Sequence, residues 1–160
     1  LETARAAGTA MPALQAVLAA LHLPESALSR MHIGSVIFAN KPGDGSAREQ
    51  AASCQRVLGG CANICYEFAT KRYRSNCVNW GMLPFTLAPG APFDAAPGDF
   101  IYVPGVRGKV ARGDEEFPAV LIRGGETQPV TLYLKNTGAE ERELLLTGCL
   151  MNHYAAQNRR

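Results

Sequence analysis

Between Gly43 and Gln50 the chain reads Gly-Asp-Gly-Ser-Ala-Arg-Glu-Gln, placing a hydroxyl (Ser46), a guanidinium (Arg48) and a carboxylate (Glu49) in one short run. Upstream, Ile33 to Ala39 is rich in β-branched and aromatic residues and short enough to be a buried strand. Downstream, Ala51, Ala52, Val57 and Leu58 fall at spacings that suit one face of a helix expected over Ser46 to Leu58. The run therefore sits at a strand-to-helix junction. Gly43 and Gly45 would let the backbone turn sharply and approach a ligand. The helix start supplies unpaired N–H groups and the positive end of the macrodipole, and Arg48 adds a fixed charge that can grip a carboxylate or phosphate with two parallel hydrogen bonds. That chemistry is an anion site.

A purely structural reading uses the same residues. Ser46 and Glu49 stand in the Ser-x-x-Glu relation of a capping box, in which hydroxyl and carboxylate satisfy backbone donors and no reaction is needed. The run has no Gly-Lys-Ser/Thr ending and no third glycine, which excludes the common phosphate loop and the dinucleotide fingerprint. Spacing alone leaves both the anion site and the cap open.

These residues need elements to hold them, and composition bounds what those are. The chain has 160 residues, 47% of them hydrophobic and 19% charged, which is one domain's worth of ordinary globular protein. Sixteen basic and 14 acidic residues leave a net charge of +2, a near balance that gives no reason to expect nucleic acid. The one basic cluster, Lys71-Arg72-Tyr73-Arg74, reads as solvated helix surface. Five cysteines, an odd number in a chain too long to need disulfide staples, point to free thiols in a cytoplasmic, reducing compartment. Cys61 and Cys65 lie in an expected strand and no Cys-x-x-Cys pair exists, so no metal site is expected and the thiols read as buried. No run of about 18 apolar residues is present, so no membrane span is expected. The start at Leu1 rather than Met points to a processed product or a piece of a longer polypeptide.

In chain order, residues 1–32 form a lead-in with one helix, opened by Pro12 and carrying Leu14, Val17, Leu18 and Leu21 on one stripe. Pro24 ends it, and a turn over Pro24 to Ser29 leads to the Ile33 strand. Gly59-Gly60 stops the helix from Ser46, a strand follows over Cys61 to Phe68, then a helix from Thr70 with Tyr73, Cys77 and Trp80 at helical spacing and Gly81 as its stop. Trp80 reads as core. Met82 to Leu87 is extended, with Pro84 pointing to a sheet edge. This order predicts a parallel βαβ core. The second half is punctuated by Gly and Pro into short strands near Phe100 to Val103, Ala119 to Arg123 and Val130 to Leu134. A closing helix over Ala139 to Tyr154 precedes a polar tail, residues 155–160.

The first run, followed by Leu58-Gly59-Gly60, Phe68-Ala69, Tyr73-Arg74-Ser75-Asn76 and Asn79-Trp80-Gly81-Met82-Leu83-Pro84-Phe85, resembles the C-terminal swivelling domain of aconitase and isopropylmalate dehydratase. In that family the first block reads Gly-Ser-Ser-Arg-Glu-His and the second ends Gly-Ile/Leu-Leu-Pro-Leu. The resemblance extends from Gly98-Asp99 through the later strands to Gly148-Cys149-Leu150-Met151-Asn152, so it covers about residues 33–154. It implies an α/β fold, a three-layer β/β/α swivelling domain, closing over a [4Fe-4S] cluster held by other domains, in enzymes that dehydrate and rehydrate hydroxy acids. Ser46 matches the serine that serves as catalytic base, and Arg48 matches an arginine that binds a substrate carboxylate, with Gly45 and Ala47 beside them in the substrate-binding run. Ala47 replaces the family's second serine and Gln50 its histidine, and the Asp-His-Ile or Asp-Thr-Asp segment that usually opens the domain is missing, together with the arginine that follows it in aconitase.

The expectation is a swivelling domain of an aconitase-like hydro-lyase, inactive alone, acting on a small hydroxy di- or tricarboxylic acid. It would work with cluster-bearing domains of the same chain or of a large subunit, and bind no cluster itself. The alternatives are a separate small subunit of an isopropylmalate-type dehydratase and a non-catalytic relative that binds an anion or a partner.

Overall fold

The computed structural model describes residues 10–158, so the expected lead-in Leu1 to Thr9 lies outside the described residues. Helix α1 (Ala10–Ala20) carries Pro12 in its first turn, where a missing N–H costs nothing. Leu14 and Leu18, one turn apart, are buried, while Val17 and Leu21 are half-buried. The helix ends in a Schellman motif, Leu23 N–H donating to Leu18 O (2.9 Å) and His22 N–H to Ala19 O (3.1 Å). His22 takes the left-handed φ of 53° that glycine usually supplies there. The turn expected after Pro24 is a 3₁₀ helix (Glu25–Arg30), whose Ala27 and Leu28 cluster with Leu18.

The chain falls into two compact units. One comprises the described residues up to Ile33 with Pro92–Pro104 and Pro118–Val130; the other comprises Gly34–Ala91, Gly105–Phe117 and the chain from Thr131. The second unit contains the expected parallel core. Strand β1 (Ser35–Phe38) pairs parallel with β2 (Gly60–Cys65), and β2 pairs parallel with β3 (Leu83–Thr86). The crossovers are α2 (Arg48–Val57) and α3 (Lys71–Asn79).

Three local expectations change. β1 is not a buried strand: Val36, Ile37 and Phe38 are each 37–40% exposed, because β1 ends the strand order with β2 as its paired neighbour. Its β-branched residues reflect strand propensity rather than burial. On α2 only Ala52 is buried, whereas Ala51, Val57 and Leu58 are exposed, so the expected apolar face is one residue wide. β3 is not an edge, since it lies between β2 and β6 (Glu126–Tyr133). Leu87 N–H donates to Cys65 O (2.9 Å), so by alternation Pro84 turns its nitrogen away from β2, to the side where pairing with β6 is registered at Thr86–Tyr133.

Phe85 and Phe117 meet edge to face at the centre of this unit (5.2 Å between centroids). Ile64, Val78, Met82 and Leu132 are buried with them. A helix unforeseen in the sequence, α4 (Val106–Arg112), lies between Gly105 and Gly113, both left-handed (φ 62° and 81°). Its flanking glycines made it read as loop. The expected closing helix is two, α5 (Ala139–Thr147) and α6 (Leu150–Gln157), broken at Gly148 (φ 96°). Cys149 restarts the helix, its Sγ accepting from Asn152 N–H at 3.4 Å. The break lets Gly148 O approach Gly81 so closely that a Cβ on Gly81 would lie 1.7 Å from it.

In the first unit β4 (Phe100–Tyr102) pairs antiparallel with β5 (Glu116–Arg123), Phe100 opposite Ile122 and Tyr102 opposite Val120. Gly124-Gly125 joins β5 to β6, with φ of 57° and 91°, the positive values a two-residue type I′ hairpin demands. Arg123 binds Asp99 (2.8 Å) and Asp94 (3.2 Å), and its guanidinium holds the Asp99 carboxyl below the usual carboxylate range. The protein is thus mixed α/β, with parallel and antiparallel strand pairs, as expected. Among the described residues no helix is long and apolar enough to cross a membrane.

Candidate functional site

The loop from Asn40 to Ala47 links β1 to α2 within one unit, and its first half is tied to the β2–α3 connection. Asn40 O accepts from Tyr66 N–H (3.2 Å) and Glu67 N–H (3.3 Å), and Pro42 O accepts from Ala69 N–H (2.9 Å). Gly43 O accepts twice, from the Thr70 hydroxyl at 2.9 Å and from Arg48 Nε at 3.1 Å. Gly43 itself has φ +97° and lies against Tyr73, where a Cβ would meet three Tyr73 carbons at 2.4–2.7 Å. Only glycine fits there.

Gly45 differs. Its φ is not positive, and a Cβ on it would meet nothing within 4 Å. The sequence reading gave both glycines the same task; the structure assigns the sharp turn to Gly43 and leaves open space at Gly45.

The capping box does not form. Helix α2 begins at Arg48 with Ala47 as its cap residue, and Ala47 makes no side-chain cap bond. Ser46 therefore stands one residue outside the helix, exposed, its hydroxyl without a partner among the described residues. The Glu49 carboxylate is committed elsewhere, accepting from Trp80 Nε1 at 2.5 Å. With its amide oriented to suit the donors around it, Asn76 donates to Glu49 Oε2 (3.2 Å) and accepts from Glu49 N–H (3.1 Å). Trp80 is accordingly half-buried, packed on the Ala52, Tyr73, Cys77, Met82 cluster with its N–H paired. Arg48 turns Nε and, more weakly, Nη2 (3.4 Å to Asp44 O) onto its own loop, leaving Nη1 without a partner among the described residues. The first helical bond is Ala51 N–H to Ala47 O (3.0 Å), so the N–H groups of Arg48 and Gln50 have no partner among the described residues.

Beneath the loop lies a closed ring of three hydrogen bonds that the sequence reading missed. Asn63 Nδ2 donates to Gln55 Oε1 (2.9 Å), Gln55 Nε2 to the Tyr73 hydroxyl (2.7 Å), and that hydroxyl to Asn63 Oδ1 (3.1 Å). Asn63 is 1% exposed, and burial pushes the Tyr73 hydroxyl above its ordinary pKa, against the bond from Gln55, which lowers it. The signal was an amide inside the apolar run Cys61-Ala62-Asn63-Ile64-Cys65, since a buried amide requires partners. The basic cluster is solvated surface only in part: Lys71 and Arg72 are exposed, whereas Tyr73 is core and Arg74 is pinned to Glu141 (2.7 Å) and to Thr137 (3.1 Å).

All five cysteines are unpaired. Burial pushes the Cys65 thiol up to about 12 and the Cys77 thiol up to about 11. Among the described residues no three His, Cys, Asp or Glu side chains come together as a metal site.

Residues 28–90, which contain this whole assembly, match the family model described as the aconitase C-terminal domain. This stretch is similar to the aconitase C-terminal domain. The chain is 46% identical over 55 residues to the mitochondrial aconitate hydratase of Arthroderma benhamiae, a match covering 34% of this chain and 7% of that protein. It is 44% identical over 57 residues to the mitochondrial aconitate hydratase of Emericella nidulans, covering 36% of this chain and 7% of that protein. The chain thus matches a small fraction of the relatives' length. Within the matched segment, the blocks that carried the resemblance serve one another: Glu49 of the first is held by Asn76 and Trp80 of the second.

Proposed function

We propose that residues 33–154 are the swivelling domain of an aconitase-like hydro-lyase, and that Ser46 and Arg48 are its contribution to the reaction. The observation that carries this reading is the start of α2, where an unpartnered serine hydroxyl, an arginine with one open nitrogen and two unpaired N–H groups coincide. A helix start occupied only by structure would spend Ser46 on the cap, as the capping box does. In this reading Arg48 binds a carboxylate of a small hydroxy di- or tricarboxylic acid. Gly45 and Ala47 admit it closely, the first having no side chain and open space around it. Ser46 Oγ, as its anion, takes the proton from the carbon beside the carboxylate, that C–H electron pair becomes the double bond, and the hydroxyl leaves the neighbouring carbon with the C–O electron pair, to be released as water once it takes up a proton. Hydration runs the steps backward. A serine oxygen works as a base when its anion is stabilised, and Arg48 with the positive helix end provides that in a closed site. The relatives' names support an acid of the aconitate kind.

The resemblance implies a [4Fe-4S] cluster in the full enzyme. The described residues do not fit it: Cys65 and Cys77 are fully buried thiols with raised pKa, and among the described residues no three His, Cys, Asp or Glu side chains come together. In this reading the ligands come from cluster-bearing domains of the same chain or of a large subunit. Five unpaired thiols support a reducing compartment, the cytoplasm or the mitochondrial interior.

The test is Ser46→Ala in the full-length protein assayed with aconitate. Turnover should fall about 10²–10⁴-fold with a smaller change in KM. Stability should stay within about 0.5 kcal/mol, because no cap bond is lost. A variant within a few-fold of normal kcat overturns the assignment.

A further inference from the structure

We propose that Thr70 is a positioning residue for Arg48, acting through the carbonyl of Gly43; the proposal rests on the reading of Arg48 as a carboxylate site. Thr70 precedes α3 in extended conformation (φ −141°, ψ 144°), and its oxygen accepts from Tyr73 N–H at 3.3 Å. That is ordinary capping, and it uses only a lone pair. A cap leaves the hydroxyl proton free to go anywhere. Here it goes to Gly43 O at 2.9 Å, the same oxygen that receives Arg48 Nε at 3.1 Å. A carbonyl has two lone pairs, and these two donors occupy both. Thr70 therefore fixes the direction of the carbonyl, and the carbonyl fixes the plane of the guanidinium.

The location gives this bond its leverage. Asn40, Pro42 and Gly43 are each anchored to the stretch from Tyr66 to Thr70, whereas Asp44 to Ala47 are exposed, and among the described residues their one side-chain tie is the weak contact of Arg48 Nη2 with Asp44 O at 3.4 Å. Gly43 is the last fixed point before the segment that carries Ser46. Release of its carbonyl would let the guanidinium and the exposed turn move together. A carboxylate grip depends on the guanidinium plane, so the loss should appear in substrate binding more than in folding.

The experiment uses the full-length protein with aconitate as the probe. Thr70→Val keeps the shape and removes the hydroxyl; Thr70→Ser keeps both of its bonds. Tyr73→Phe serves as a stability control, since it weakens the same helix packing while leaving the Thr70–Gly43–Arg48 chain intact. Thr70→Val should raise KM about five- to tenfold, the effect of one positioned hydrogen bond, with kcat changing less. Thr70→Ser should stay within about twofold, and Tyr73→Phe should leave KM unchanged. Combined with Arg48→Lys, the Thr70→Val effect should largely vanish, because both act on one contact. If Arg48→Lys raises KM and Thr70→Val does not, or if Tyr73→Phe raises it equally, Thr70 is only a cap and the proposal is overturned while Arg48 keeps its role. If neither Arg48→Lys nor Thr70→Val changes KM, the carboxylate reading falls and the proposal falls with it.

Discussion

Replacing Gly43 by alanine should unfold the loop's anchor, and replacing Gly45 by alanine, two residues on, should not. At Gly43 the new Cβ faces two separate penalties. The φ of +97° is a region that residues with a side chain avoid, at a cost of about 1–2 kcal/mol. The Cβ would also lie 2.4, 2.6 and 2.7 Å from Cβ, Cγ and Cδ1 of Tyr73, so one of the two must shift. Tyr73 cannot shift freely, because it is 3% exposed and its hydroxyl is bonded to both Gln55 and Asn63. Forced repacking of this kind costs about 1–3 kcal/mol. The expected total for Gly43→Ala is about 2–5 kcal/mol. At Gly45 neither penalty exists, and the change should lie within about 0.5 kcal/mol, or stabilise slightly by restricting the unfolded chain. Urea denaturation of the two variants beside the parent gives both values, with an unchanged m confirming that stability alone moved. A Gly43→Ala protein within about 0.5 kcal/mol of the parent, or a Gly45→Ala protein as damaged as Gly43→Ala, would refute the reasoning.

Other outcomes follow from the same geometry. Gly45→Ala, although stable, should raise KM for aconitate in the full-length protein if the proposed site is right, because its methyl enters the open space that the proposal gives to the acid; an unchanged KM would remove Gly45 from the site. Tyr73→Phe leaves the buried Asn63 and Gln55 each short of a partner and should cost about 1–3 kcal/mol by denaturation, which a neutral result would contradict. In the native state a thiol reagent at pH 8 should label the exposed Cys54 well before Cys65 or Cys77, both fully buried; equal rates by mass spectrometry would mean the core opens readily. Cys65 and Cys77 keep their protons in the folded state after the unfolded chain has lost its own, so their contribution is intact below about pH 9 and is lost as pH rises towards about 11 and 12. Stability measured from pH 8 to 11 should therefore fall, and a Cys65→Ala, Cys77→Ala protein should lose less of it over that range.

Much of this was legible in the residue order. Short, mostly apolar runs separated by glycine stops marked the three parallel strands and two crossover helices, since strand propensity and helix termination are local properties. The odd cysteine count pointed to free thiols, and all five are unpaired. What local pattern could not decide was which of two partners a polar group takes. Ser46 and Glu49 had the spacing of a capping box, yet the Glu49 carboxylate lies against Trp80 and Asn76, about 30 residues away along the chain, and a buried or part-buried indole N–H competes for it more strongly than an exposed backbone donor that water can serve. The burial of β1 was equally out of reach, because a β-branched run reads alike in the middle of a sheet and at its edge. Gly148 looked like one more residue on a helical stripe. Its carbonyl comes so close to Gly81, far off in sequence, that Gly81 has no room for a side chain, a contact that no local pattern records. Spacing named Ser46 and Arg48 as residues to watch, while the freedom of one and the anchoring of the other were set by Trp80, by α3 and by the β2–α3 connection, contacts that no local pattern records.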